Sequence, residues 1–332
     1  MTAILDPFNH CPGLKILFPE YDYYVFEPTQ DLTFTSTNHM TNNKFELIYK
    51  FRYLSDWTQI TPTKYNTIFI VLPLLDCYPG NWCTKKEAVL IWDIIKSVCF
   101  GSYSYKKICL FDTYDYDYDP SLLFPNVKID IFFKRNVNKK KKYNSNVFAF
   151  PYMIFLTPCP LYTLLTKKIE KKKDKKNQIF WSGALYIHDE THQVGGKEER
   201  VVRDRETIFN SIKHLLTIYK NLPHDEFIEE MSRCKYALDI QGVGDPNSRT
   251  FEIFLSGSLR LFNNNNLTWT FDEGDDFSEY ASFTTAEEFQ KNLYILSDIN
   301  EYNKALEKQE KILEKYINKE WLRGYINRTI NI

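Results

Sequence analysis

The chain has 332 residues, 42 basic against 43 acidic side chains, a net charge of -1 and 43% hydrophobic residues. At about 150 residues per domain this length predicts two domains, each able to bury its own core, and the ordinary composition excludes wholesale disorder. A charge so near zero removes the global electrostatic case for a nucleic-acid binder, so no nucleic-acid partner is expected. The seven cysteines include no C-x-x-C pair. That argues against a disulfide framework or a structural zinc and for a reducing, cytoplasmic setting. The N-terminus, MTAILDPFNHCPG, lacks a basic stretch followed by an apolar one, so no signal peptide is expected.

In chain order, 67–75 (TIFIVLPLL) is a β-branched apolar run suited to a fully buried strand. Thr84 and Glu87 form a capping box that opens a helix with Val89, Trp92, Ile95 and Cys99 on one side. Segment 106–112 (KKICLFD) reads as the next strand and 128–133 (KIDIFF) as another, so a right-handed parallel crossover is expected. The apolar stretch 147–165 contains Pro151, Pro158 and Pro160. Three prolines break a helix that must satisfy its own backbone in a bilayer, so a strand-and-turn crossover is expected instead. Residues 134–176 hold thirteen basic and two acidic side chains, including the runs 139–142 and 167–176. Such a block reads as a solvated connector, or as a patch for anionic membrane or a polyanionic substrate.

Past the lysines the alternation restarts: strand 177–183, helix 205–219, helix 227–234, strand 235–240, helix 248–255 and strand 258–262. Thr285 and Glu288 form a second capping box toward residue 296, and the last 30 residues read as helical. The expected fold class is α/β: two Rossmann-like, doubly wound domains facing a cleft, closed by a C-terminal helix. The expected boundaries are 1–165, a Lys-rich connector 166–177, 178–300, and a closing helix 301–332 that packs back across the domains.

Segment 235–262, KYALDIQGVGDPNSRTFEIFLSGSLRLF, concentrates the chemistry. A strand ends at Ile240, Gly242 and Gly244 allow close backbone approach, and Pro246, Asn247 and Ser248 set a helix start. A helix N-terminus at the carboxyl end of a parallel strand offers free N–H groups to an anion. Arg249 stands in that first turn, where its fork can grip a phosphate, and Glu252 lies three residues on, placed for ribose hydroxyls. Together they match a nucleotide diphosphate. The same spacing also suits an ion pair decorating an ordinary helix cap.

This segment resembles the donor-binding region of glycosyltransferases with the GT-B architecture. It is most similar to the exostosin-like family and to the protein O-glucosyltransferase (capsule-associated) group. Their strand, glycine turn, S-R-x-x-E and SG pattern reads here as Gly242, Ser248, Arg249, Thr250, Phe251, Glu252, Ser256 and Gly257. FWSGALYIH followed by Arg205 is similar to the first strand and glycine turn of that donor domain, and IDIFFKRNV with FAFPY resembles the end of the acceptor domain. The resemblance implies that 178–300 binds the donor, 1–165 the acceptor, and that Ser182, Gly183 and Arg205 line the diphosphate. It covers residues 132–289, and SLRLF departs from the proline-containing strand of many exostosin-like proteins.

Two acidic motifs compete. DTYDYDYD at 112–119 carries the Asp-x-Asp signature of metal-dependent glycosyltransferases, and it makes Asp112 and Asp115 the candidate bases, with Glu20 and Asp22 behind them. HDETH at 188–192 has zinc-like spacing but follows a glycine turn, so it reads as a mobile loop over the donor, with His188 near a phosphate oxygen. The resulting expectation is a glycosyltransferase that moves a hexosyl or pentosyl unit from a nucleotide-diphosphate sugar to a glycan or glycoprotein hydroxyl. UDP-sugars are favoured and GDP-sugars remain possible; no cofactor or catalytic metal is expected. The alternatives are a non-catalytic nucleotide- or glycan-binding protein and a metal-dependent Asp-x-Asp enzyme.

Overall fold

Apolar runs of up to six residues, too short for stable helices, form the central strands of two parallel sheets. The computed structural model describes residues 1–6, 11–26, 52–54, 63–72, 105–112, 119–123, 128–135, 137, 141–150, 174–183, 185, 187–194, 197–218, 222–240, 248–263 and 277–331. Two compact units divide the chain. The first comprises Met1–Val137, Lys142–Tyr162 and Asn318–Ile332, and the second Asn138–Lys141 and Thr163–Ile317.

The first unit contains β1 (Thr2–Leu5), β2 (Asp22–Phe26), β3 (Arg52–Leu54), β4 (Thr67–Leu72), β5 (Lys107–Asp112), β6 (Ile131–Lys134) and β7 (Val147–Ala149), with α1 (Pro12–Leu17) after β1. Their order is β3-β2-β1-β4-β5-β6-β7, and every neighbouring pair is parallel. The chain therefore winds outward both ways from β1, the doubly wound arrangement expected. Phe111 faces Phe133 in register, with rings stacked at 4.6 Å, and Phe69 and Phe150 each sit 5.1 Å from Phe111. Each such ring withdrawn from water stabilises the core by roughly 1.5–3 kcal/mol. The helix expected from Thr84 lies outside the described residues, as does 151–173. Among the described residues, no helix is long and apolar enough to cross a membrane.

The second unit runs β8 (Lys176–Trp181), β9 (Ile187–Val194), β10 (Lys197–Asp204), α2 (Arg205–Ile212), β11 (Thr217–Ile218), α3 (His224–Ser232), β12 (Cys234–Asp239), α4 (Ser248–Ser256), β13 (Leu259–Asn263), β14 (Ser282–Phe283), α5 (Ala286–Leu296) and α6 (Ile299–Ile317). Its parallel sheet has the order β11-β8-β12-β13-β14, so the winding reverses between β8 and β12. The core gathers Trp181, Phe209, Tyr236, Leu238, Leu259, Phe283 and Phe289 on one face. On the opposite edge β14 is too short to cover β13, and Gln309 substitutes for it. Its Oε1 accepts from Arg260 N at 2.8 Å and its Nε2 donates to Ser258 O at 2.7 Å. Gly257, at φ 72°, turns the chain out of α4 in a conformation that a Cβ would strain.

Four expectations change. The helix from Arg205 ends at Ile212, because a 3-10 turn (Lys213–Leu215) and β11 follow it. HDETH lies in an antiparallel hairpin of β9 and β10 rather than in a loop. Lys175, the penultimate residue of the second lysine run, is not part of a solvated connector. Its ammonium donates to Ser232 O at 2.8 Å and Ser256 O at 3.2 Å, the last carbonyls of α3 and α4. The closing helix is two helices, α6 and α7 (Lys319–Ile330), interrupted at Asn318, whose side chain accepts from Trp321 N at 3.0 Å. Within the first unit α7 is held by Arg323 to Glu20 at 2.5 Å and by Tyr325 to Ala149 O at 2.8 Å.

Candidate functional site

A ligand crevice in a doubly wound sheet forms at the carboxyl ends of the strands where the winding reverses. In the second unit that point lies between β8 and β12, and two guanidiniums stand there. Arg205, the first residue of α2, donates through Nη2 to Ile240 O at 2.6 Å, one residue past the end of β12. Arg249, in the first turn of α4, donates through Nη1 to Ser182 O at 2.6 Å, one residue past the end of β8. A carbonyl orients a guanidinium without neutralising it. Both guanidiniums are thereby held at this edge.

The surroundings of Arg249 fix it further. Its Cζ lies 4.2 Å from the centre of the Phe227 ring, a cation–π seat supplied by α3. Its Nε stands 3.2 Å from Glu252 Oε2, within ion-pair range but off the hydrogen-bond axis. Burial from water pulls the Arg249 pKa below its ordinary value. Glu252 and then Asp239 oppose that shift, while Arg205 adds to it. A cation with these neighbours gains from a further anion. The charge balance, at the N-terminal end of α4, suits a phosphate or diphosphate.

The remaining expected site residues fall as follows. Ser182 is half-buried and contributes its carbonyl, and Gly183 is exposed beside it. A Cβ on Gly183 would stand 3.1 Å from the Trp181 ring, so the turn is tight on that side. Ser248 is the first residue of α4. Glu252 is 9% exposed, with its carboxylate toward Arg249. Thr250 is fully buried and donates to Asp239 Oδ2 at 3.0 Å, facing the sheet rather than the crevice. His188 lies on β9 opposite Arg203, on a strand rather than in the mobile loop expected. Gly242, Gly244, Asn247 and Asp115 lie outside the described residues.

The base candidates of the first unit are engaged elsewhere. Asp112 is 1% exposed and pairs with Lys134 Nζ at 3.1 Å across β5 and β6, a placement suited to holding a buried cation rather than taking a substrate proton. Asp22 begins β2, at the amino edge of the sheet, and accepts from the Tyr65 hydroxyl. Glu20 pairs with Arg323. Sequence reasoning missed Phe227, Asp239 and Arg260. The signal for the last two was present: Asp239 and Arg260 are charged residues within two largely apolar strands, CKYALD and LRLFN.

No family model and no curated protein matches the chain, so the exostosin-like resemblance gains no support from those comparisons. Among solved structures the chain is similar to the DNA-modifying enzyme β-glucosyltransferase, solved with and without its substrate uridine diphosphoglucose. The TM-score is 0.50 and the identity 13%, over 100% of both chains. T4 phage BGT in complex with its UDP-glucose substrate follows at a TM-score of 0.47 and 11% identity, over 100% of this chain and 99% of that one. A GtfA/B complex bound to UDP and GlcNAc gives 0.35 and 10%, over 79% and 56%. The first likeness shows the fold: this chain has the two-sheet α/β architecture of GT-B glycosyltransferases.

Proposed function

We propose that the chain is a glycosyltransferase that takes its sugar from a nucleotide diphosphate, UDP-sugars being favoured. The observation that carries this reading is the convergence of Arg205 and Arg249 on the carbonyls of Ile240 and Ser182 at the reversal point of the second sheet. In the transfer, the bond between the anomeric carbon and the diphosphate oxygen breaks while the acceptor hydroxyl oxygen bonds to that carbon. The hydroxyl proton passes to solvent or to the leaving diphosphate. Negative charge then grows on the leaving diphosphate. Two fixed guanidiniums and the α4 amides stabilise that charge, a task a divalent metal performs in other glycosyltransferases. Glu252 orients Arg249 and is placed to accept from a ribose hydroxyl.

The acceptor is proposed to be a glycan or protein hydroxyl. The basic block 134–176 favours a second reading, in which the acceptor is a polyanion such as the DNA named for the β-glucosyltransferase of like fold.

A thermal-shift panel of UDP-, GDP- and CMP-sugars in the presence of EDTA tests the reading. One nucleotide class is expected to raise the melting temperature of the wild type without metal, and Arg249→Ala is expected to lose that shift while staying folded. A shift that needs Mn, or one that persists in Arg249→Ala, sinks the assignment.

A further inference from the structure

Beneath the crevice lies a buried polar chain that the reading above does not use. Asp239, the last residue of β12, is 1% exposed and accepts at Oδ2 from Thr250 Oγ1 at 3.0 Å and from Arg260 Nε at 2.7 Å. Its Oδ1 makes no hydrogen bond among the described residues, so the carboxylate's observed bonds all run to those two partners. Arg260, on β13, is also 1% exposed, and its Cζ lies 4.4 Å from the centre of the Phe262 ring. Ala237 and Arg260 are directly opposite in register, so Asp239, two residues on, shares their face of the sheet, and α4 packs against β12 and β13.

We propose that Asp239 and Arg260 are positioning residues for the donor site, acting through Thr250 to set the place of the first turn of α4. Thr250 follows Arg249 in the chain, and its hydroxyl is the described side-chain bond from that turn to the end of β12. Arg249 reaches Ser182 O only while α4 keeps its rotation and height over the strand ends; buried Phe251, Ile253 and Phe254 seat the helix, and the hydroxyl-to-carboxylate bond sets its first turn. Arg260 completes the arrangement. Without it, a bare carboxylate under the crevice would repel an incoming diphosphate. With it, the anion meets a compensated pair. Thr250 thus acts on the donor without touching it, which accounts for a fully buried residue inside the S-R-x-x-E pattern.

The proposal rests on the donor-site reading, and its test separates the two. In Thr250→Val, calorimetry with UDP-glucose is expected to show a Kd raised by about tenfold, the scale on which supporting partners act. The melting temperature is expected to fall by a few degrees, because a buried carboxylate loses a donor, and Thr250→Ser should restore the affinity. A merely structural role would lower the melting temperature as well but leave the Kd of the folded protein alone. Wild-type affinity in Thr250→Val, or no recovery in Thr250→Ser, overturns the tether. Should the valine variant not fold, Thr250→Ala removes the same hydroxyl with less bulk and is read in the same way. Wild-type protein that binds no UDP-, GDP- or CMP-sugar overturns the donor-site reading as well.

Discussion

At the scale of single residues, burial has placed several protonated groups where their charged forms are penalised. Desolvation pushes the Cys109 thiol in β5 up to about 12, with Asp130 adding to it and Lys107 opposing. Desolvation likewise raises the Tyr302 phenol in α6 to about 12, while its hydroxyl donates to Lys235 O at 3.2 Å. A group whose folded pKa exceeds its unfolded value stabilises the fold fully below the unfolded value and loses that contribution as pH rises through the folded one. For Cys109 the window opens near pH 9 and for Tyr302 near pH 10, and both close near 12. Denaturant melts from pH 8 to 11 are therefore expected to show falling stability, with a shallower fall in Tyr302→Phe. A flat profile would contradict the burial of both groups. The charged residues teach a related lesson. In each unit a carboxylate at a strand end meets a cation on the next strand, Asp112 with Lys134 and Asp239 with Arg260. Reading Asp112 as a base from its place at the end of a parallel strand overlooked its partner, which lies twenty-two positions away in sequence and directly opposite it in register.

At the scale of elements, Lys175 shows how a lysine-rich string can include a structural residue. Its ammonium caps two helices at once, so Lys175→Met, which keeps the stem and deletes the charge, is expected to cost about 2 kcal/mol. Thermal unfolding should register this as a fall of roughly 5 °C; an unchanged midpoint would return the residue to the solvated block. The strands were the most legible elements. KICLFD and CKYALD are bounded apolar runs that form strands within one residue of the expected limits. TIFIVL begins its strand at the expected Thr67, with 73–75 of the expected run outside the described residues. The capping box at Thr285 was legible for the same local reason: Thr285 Oγ1 accepts from Glu288 N at 3.2 Å. The β9–β10 hairpin was not legible, because IHDETHQV and KEERVVRD are polar and lack the alternation that marks a half-buried strand. Of the candidate site, Arg205 and Arg249 could be read from chain position. Their carbonyl partners could not, since Ser182 and Ile240 join them only once β8 and β12 lie side by side.

For the whole molecule, the course of the chain matters more than any one contact. The second unit ends at Ile317, and α7 returns to the first, where Leu322 and Ile326 are fully buried. A chain stopped after Ile317 loses both side chains and the Arg323 and Tyr325 anchors. Since each buried aliphatic alone contributes about 2–5 kcal/mol, the first unit is expected to lose protection against hydrogen exchange in β1 and β4–β6. β8, β12 and β13 should keep theirs; equal protection throughout would show that α7 adds little. The route of α7 also orders events during synthesis. Although the first unit begins emerging from the ribosome before the second, its last helix is made after the second is complete. The later-made unit is thus free to reach its native state first, while the earlier-made one waits, with the α7 side of its core uncovered, until residue 330 has left the exit tunnel. Any factor that shields nascent apolar surface would find its longest-lived target there.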